Sequence, residues 1–273
     1  MVQEGAIGGI IDFHTHAFPD ALAARAMKAL SAEAPQLPYY HDGRVSSLLA
    51  SMDAAGIARS VVCSIATRPS QFGPILEWSR QIASDRIIPF PSIHPDDPNP
   101  GERIAQIHKC GFKGVKMHPF YQGFYMDEPR LCPIYEALAE TGLLLVMHTG
   151  YDIAFERVRR ADPAVIVKVL RDWPELRLVT THLGAWEQWQ EVEQALIGRQ
   201  VYMEVSFTDG YLATDKVREL ILRHPAEYVL FGTDSPWDDQ AKALARVREL
   251  RLGTSREEGM LWRNAERLLG YSL

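Results

Sequence analysis

The chain has little sulfur chemistry to offer, with only Cys63, Cys110 and Cys132 among 273 residues. Their odd number, wide spacing and lack of any CxxC pair exclude a disulfide framework and a thiolate zinc site, and fit a reducing cytoplasm. Long apolar runs are also missing. No stretch approaches the roughly 18 residues of a membrane span, and the opening "MVQEGAIGGIID" has no basic region ahead of an apolar core, so neither insertion nor export is expected. Basic patches are missing as well. The formal charge is −6 and the lysines and arginines are dispersed, which argues against nucleic acid or an anionic membrane and leaves a small molecule as the expected ligand. With no low-complexity linker, residues 1–273 read as one domain, and a hydrophobic fraction of 47% suffices for a large core.

What the chain does contain is a recurring unit, a short β-branched run followed by a segment with helical spacing. The strands read as "GGIIDFHTH" (Gly8 to His16), "SVVCSIAT", "RIIPFPSIHP", "FKGVKMHP", "LLLVMHTG", "LRLVTTHLG", "QVYMEVSF" and "EYVLFGTDSP". Between them, segments such as "VSSLLASMDAAGI" place Val45, Leu48, Leu49, Met52 and Ala55 on one helix face, with Gly56 as the stop. Eight such units imply parallel strands with crossovers and favour closure into a (β/α)8 TIM barrel over an open doubly wound sheet. Two additional C-terminal helices, "DQAKALARVRELR" and "SREEGMLWRNAERLLG", finish it. The excursion from Phe18 to Arg44 is too long for a tight connection and reads as a lid or a dimer contact.

Catalytic groups of such barrels project from the carboxyl ends of the strands. His14 and His16 end the first strand, Lys116 and His118 the fourth, His148 the fifth, His182 the sixth and Asp234 the eighth. Strict alternation puts Ile10, Asp12, His14 and His16 on one face, turns Ile11 and Phe13 toward the helices, and lets Lys116 and His118 share a face. Each residue alone has a plainer reading: His94 a structural hydrogen bond or helix cap, Asp234 an N-cap for the following helix, Lys116 a salt bridge. Together they place imidazoles and a carboxylate at one mouth, where burying them unpaired costs several kcal/mol each, a cost that a metal ion removes. Such nitrogen and oxygen ligands suit Zn²⁺ and also Mn²⁺, Fe²⁺, Co²⁺ or Ni²⁺.

"IDFHTHAFP", "GVKMHP", "LLVMHTG", "VTTHLGA" and "FGTDSPW", in that order, with the ending "NAERLLG", resemble the amidohydrolase superfamily. Within it they look like the amidohydrolase-related branch that contains aminocarboxymuconate semialdehyde decarboxylase. The resemblance implies a metal-dependent barrel with His14, His16, His148 and Asp234 as ligands and His182 as the acid/base residue. It implies one divalent ion, with Zn²⁺ favoured, and a small-molecule substrate; homodimers are common in the branch.

The activity so implied is hydrolysis of an amide, ester or lactone by an activated water that Asp234 orients, the alternative being decarboxylation or hydration of an unsaturated or aromatic carboxylic acid. Lys116 has a counterpart in a carboxylated lysine that bridges two metals in other members of the superfamily, His182 then serving the second ion; otherwise it binds an anionic substrate group. His118, Arg68, Tyr121 and Trp237 are further candidates for a second metal or for substrate. Arg159 and Arg160 follow the fifth strand, and Phe120 and Phe124 join Tyr121 as candidate pocket aromatics. Trp186 and Trp189 are read first as one helix face and second as pocket walls.

Overall fold

Eight short parallel strands are built from apolar residues in β-favouring sequence. In the computed structural model, which describes residues 9–271, they are β1 (Ile10–Thr15), β2 (Ile57–Cys63), β3 (Ile87–Phe90), β4 (Gly114–Met117), β5 (Leu144–Met147), β6 (Arg177–Thr180), β7 (Tyr202–Glu204) and β8 (Val229–Leu230). The expected start of the first strand at Gly8, and both ends of the expected domain, lie outside the described residues. The order β1-β2-β3 and the order β4-β5-β6-β7-β8 form two parallel sheets. A bridge between Ser92 and Lys116 joins them on one side, and a bridge between Thr15 and Ser235 on the other, so the barrel closes. Past β8 the chain still pairs with β1, through Phe13 N to Phe231 O at 2.8 Å and Asp234 N to His14 O at 2.7 Å.

The crossovers carry α1 (Asp20–Glu33), α2 (Val45–Ala55), α3 (Phe72–Ile82), α4 (Pro100–Lys109), α5 (Cys132–Thr141), α6 (Pro163–Asp172), α7 (Trp189–Ala195) and α8 (Thr214–Arg223). The added C-terminal helices are α9 (Gln240–Glu249), α10 (Thr254–Glu258) and α11 (Asn264–Leu269). Gly56 ends α2 in the left-handed conformation, as its sequence position predicts. Among the described residues no helix is long and apolar enough to cross a membrane.

Two buried layers follow from strand alternation. Val62, Ile87, Val115, Met117, Leu145, Met147 and Leu178 pack outward against the helices. Ile11, Phe13, Val61, Cys63, Ile88, Phe90, Leu144 and Val146 fill the barrel, and Ala265, Leu268 and Leu269 of α11 seal its floor. The facing expected for β1 is therefore reversed in part: Ile11 and Phe13 point inward, and Asp12 accepts hydrogen bonds from Thr233 and from Gln240 of α9. Register shifts in the β1–β2 pairing, between Ile10 and Ile11 and between Asp12 and Thr15, break the two-residue period. This irregularity lets His14 reach the interior directly after inward-facing Phe13.

Candidate active site

On β4 and β5 the interior phase runs Gly114, Lys116, His118 and Leu144, Val146, His148, so plain alternation delivers these three polar side chains to the mouth. The sixth and eighth positions use bent backbone instead: His182 and Asp234 lie in the left-handed region with φ of 57° and 60°. Such conformations cost about 1–3 kcal/mol each and persist where surrounding contacts impose them. Gly150, two residues after His148, is held at φ 87° against the Trp186 backbone, where an added Cβ would lie 2.1 Å from the Trp186 nitrogen.

Three of the four expected metal ligands converge. His14 Nε2 and His16 Nε2 are 3.2 Å apart, and Asp234 Oδ1 lies 3.4 Å from the first and 3.0 Å from the second. Each ring is oriented from behind: His14 Nδ1 donates to Glu204 Oε1 at 3.0 Å and His16 Nδ1 to the Cys63 carbonyl at 2.8 Å. Both Nε2 lone pairs therefore face each other and a carboxylate oxygen, an arrangement that calls for a cation. Lys116, fully buried, brings its Nζ to 3.1 Å from His14 Nε2. Burial and the Lys116 charge hold the His14 imidazole down at about 4, so it is neutral at pH 7 and can ligate. Burial likewise lowers Lys116. For Asp234 burial works upward, yet His14 and His16 hold its carboxyl well below the usual range.

His148, grouped by resemblance with these ligands, stands on the other side of the mouth. Its Nε2 donates to the Tyr151 carbonyl at 2.9 Å, which leaves Nδ1 as acceptor, 3.2 Å from His182 Nε2. His118 stacks on His148 at 4.0 Å with planes 13° apart, and its Nε2 is 3.3 Å from Asp152 Oδ2. His118, His148 and Asp152 form a second group with ligand-forming atoms close together. Its stacked rings, however, direct their in-plane lone pairs side by side, whereas those of His14 and His16 converge.

Glu204, at the end of β7, is the residue that sequence reasoning passed over. It is fully buried and accepts four hydrogen bonds, from His14 Nδ1, the His182 amide at 3.0 Å, the Ser206 amide at 2.7 Å and Ser206 Oγ at 2.9 Å. Burial pushes its carboxyl upward, but His14 and these donors bring it down to about 2. Since Ser206 Oγ donates to Glu204, the 2.9 Å contact with His182 Nδ1 makes that nitrogen the donor to Ser206. The His182 Nε2 is then the atom free to take up or release a proton, and burial lowers the ring's affinity for it.

His14, His16, Lys116, His118, His148, His182 and Asp234 line one end of a cavity of ≈ 580 Å³, with Glu204 buried behind them. Its walls are largely apolar and aromatic, with Trp78, Tyr151, Trp186, Phe207 and Trp237 prominent, and α1 covers one side through Leu22 and Leu30. The Phe18–Arg44 excursion thus lines the cavity. Of the other expected residues, Arg68, Tyr121 and Trp237 face it, the Tyr121 hydroxyl also lying 3.3 Å from Glu33. Arg159 pairs with Glu191, Arg160 donates to the Phe124 carbonyl, and Phe120 and Phe124 are buried away from the cavity. The helix-face reading of the tryptophans is corrected: Trp186 precedes α7 and lines the cavity, while Trp189 packs in the core and donates Nε1 to the His182 carbonyl at 3.0 Å. His94 accepts the Asp96 amide as a structural residue, and α9 is capped by Asp239, which frees Asp234 for the site.

Comparison with known proteins adds three relatives. A curated dihydroorotase from Delftia acidovorans is 26% identical over 172 residues, covering 58% of this chain and 50% of that protein, so the match spans about half the length of that relative. An uncharacterized TIM-barrel protein from Bordetella bronchiseptica superposes with a TM-score of 0.75 at 21% identity, covering 96% of this chain and 98% of that one. The 5-carboxyvanillate decarboxylase of Sphingomonas paucimobilis superposes with a TM-score of 0.72 at 14% identity, covering 97% and 99%. These two likenesses establish the barrel fold. A family model described as Amidohydrolase matches residues 11–271, and the chain therefore belongs to the amidohydrolase family.

Proposed function

We propose that this protein is a metal-dependent carboxy-lyase acting on an aromatic or unsaturated carboxylic acid. The observation that carries the reading is the placement of the convergent His14, His16 and Asp234 atoms at the floor of a large cavity with apolar and aromatic walls. A carboxylate taken out of water into such walls loses hydration that neutral carbon dioxide does not need, so the surroundings favour its departure. The fold shared with a 5-carboxyvanillate decarboxylase is consistent with this.

The donor set fits a divalent cation held by His14, His16 and Asp234, with His148 Nδ1 on the far side of the mouth. When bound, such an ion, Zn²⁺ or Mn²⁺ by ligand type, supplies Lewis acidity toward a substrate oxygen or water. Loss of the carboxylate breaks a carbon–carbon bond, leaves the electron pair on the substrate carbon, and requires a proton there. His182 Nε2 is the group placed to take a proton from water and pass it to that carbon, while Ser206 and Glu204 support the transient charge on the ring from its Nδ1 side. The apolar walls stack the substrate body and exclude water. A second reading, hydrolysis of an amide, ester or lactone, is favoured by the family match, and in it the same Nε2 accepts a proton from water.

The test is a panel of aromatic and unsaturated acids, lactones and cyclic amides with metal-loaded protein, scored for carbon dioxide and for released acid. Carbon dioxide release that stops on chelation, and that His182→Asn abolishes while metal remains bound, is the expected result. Acid release without carbon dioxide moves the assignment to the hydrolase; unimpaired turnover in His182→Asn removes His182 from the chemistry.

A further inference from the structure

The excursion that carries α1 leaves the barrel after β1 and returns to its own starting point. Phe18 N donates to the Gly43 carbonyl and Tyr40 N to the Pro236 carbonyl, both at 2.8 Å, and His41 Nε2 lies 3.0 Å from Ser235 Oγ. Met27 of α1 is seated in this base, since a Cβ on Gly43, held at φ 78°, would lie 2.9 Å from its sulfur. At the far end the holds are longer. The Tyr121 hydroxyl donates to Glu33 Oε2, and Gln36 Nε2 donates to the Ile153 carbonyl, both at 3.3 Å and both at exposed residues of the excursion. Between base and far end, Leu22, Leu30, Ala34 and Leu37 overhang the cavity. Of the 14 residues of α1 only Ala23 and Met27 are buried, whereas α9, with 10, buries Gln240, Ala243, Leu244 and Val247. The α1 sequence, "DALAARAMKALSAE", is rich in alanine and leucine, so its helical shape owes more to local propensity than to packing. A helix held firmly at one end, loosely at the other and packed on little between belongs to the low-stability part of a fold.

We infer that α1 is a lid, hinged at the Phe18–Gly43 base and latched by Glu33 and Gln36 to the loops after β4 and β5, and that ligands enter and leave the cavity by release of this latch. The two loops begin at His118 and His148, so the closed lid reaches across to the histidine side of the mouth. Two solvent-accessible hydrogen bonds are a small barrier, and each one removed shifts the population toward the open form. An apolar body beneath Leu22, Leu30 and Leu37 covers their cavity-facing surface and draws the lid shut. The device serves either reaction at the site, because it governs access and not bond breaking.

The test is a distance measurement by electron paramagnetic resonance between spin labels at Lys28→Cys on α1 and Glu156→Cys on the loop after β5, both exposed positions. Cys110→Ser and Cys132→Ser remove the accessible native thiols, and buried Cys63 stays. With the latch intact a short distance is expected to dominate. In a Glu33→Ala, Gln36→Ala double variant the ratio of closed to open forms is expected to fall about tenfold, with a longer distance gaining and the helix content by circular dichroism unchanged. Entry that waits on the open form also predicts that 2-naphthoate, followed by quenching of the cavity tryptophans, associates several-fold faster with the double variant. A latch that served stability alone would speed dissociation and leave association as it was. The same distance distribution with and without the latch, or association no faster in the double variant, overturns the lid. Neither measurement reads turnover, so the outcome of the activity panel and the outcome here are separate.

Discussion

Replacing Glu204 by glutamine separates orientation of the proposed metal ligands from simple filling of space. The carboxylate accepts His14 Nδ1, the His182 amide and Ser206 Oγ on Oε1, and the Ser206 amide on Oε2 at 2.7 Å. A glutamine that places its oxygen at the Oε1 position keeps three of the four bonds and turns its NH₂ against the Ser206 N–H. The reverse orientation sets NH₂ against three donors and forces His14 to carry its proton on Nε2, the atom that faces His16 and Asp234. One orphaned buried donor costs about 1–3 kcal/mol, so Glu204→Gln is expected to destabilise the chain by about 2 kcal/mol, or roughly 4–8 °C in Tm. Loss of a partner that orients a ligand weakens metal binding by about 10–100-fold. Chelator competition with Zn²⁺ and Mn²⁺ gives the affinity, denaturation in chelator gives the stability, and ¹⁵N imidazole spectra give the tautomer of His14. Affinity within about twofold of wild type, with the His14 tautomer unchanged, would refute the claim that Glu204 sets the ligand's orientation.

Two further outcomes follow from buried carboxylates. Burial carries the Asp12 carboxyl up to about 7 against hydrogen bonds from Thr233, Gln240 and the His14 amide. The folded state thus keeps this proton to higher pH than the unfolded chain. Its stabilising effect is complete below the unfolded value near 3.8 and is lost as pH rises through about 7, some 3 units that correspond to about 4 kcal/mol. Asp12→Asn removes this titration, so denaturation in chelator from about pH 4 to about pH 8 should show its stability gaining on wild type by about that amount; parallel curves would count against it. Gly232→Ala puts a Cβ 2.4 Å from Glu204 Oε2 and should reproduce the loss of metal affinity expected for Glu204→Gln, whereas Gly73→Ala meets nothing within 4 Å and should leave affinity unchanged. Equal metal affinity in the two alanine variants would sink the steric account.

The repeat of strands and helices was legible because each strand is a short apolar run that must bury both faces, and the strand-end histidines stood out against that background. Lys116, His118 and His148 came out on the interior phase because β4 and β5 are regular. In β1 the alternation failed, since a register shift leaves no mark in composition and only pairing with β2 reveals it. Glu204 sits within "VYMEVSF", and one carboxylate in an apolar strand is as readily an exposed side chain as a buried acceptor; its position at the strand end was the usable signal. Asp152 and Arg25 belong to a loop and to α1, whose approach to the cavity depends on the course of the chain over the barrel mouth. Trp186 followed the same rule: its spacing from Trp189 suggested a helix, but pairing with Gly150 holds it extended.

The seam between β1 and the segment after β8 has a consequence for biosynthesis. The Thr233 amide bonded to Asp12 is 221 residues further along the chain, and His14 and His16 meet Asp234 across a similar span. At ordinary translation speed this interval takes roughly 10–45 s, during which the emerged histidine pair has neither its aspartate nor the Glu204 that orients it. Assembly of the proposed ligand set is therefore a late event, coupled to closure of the barrel.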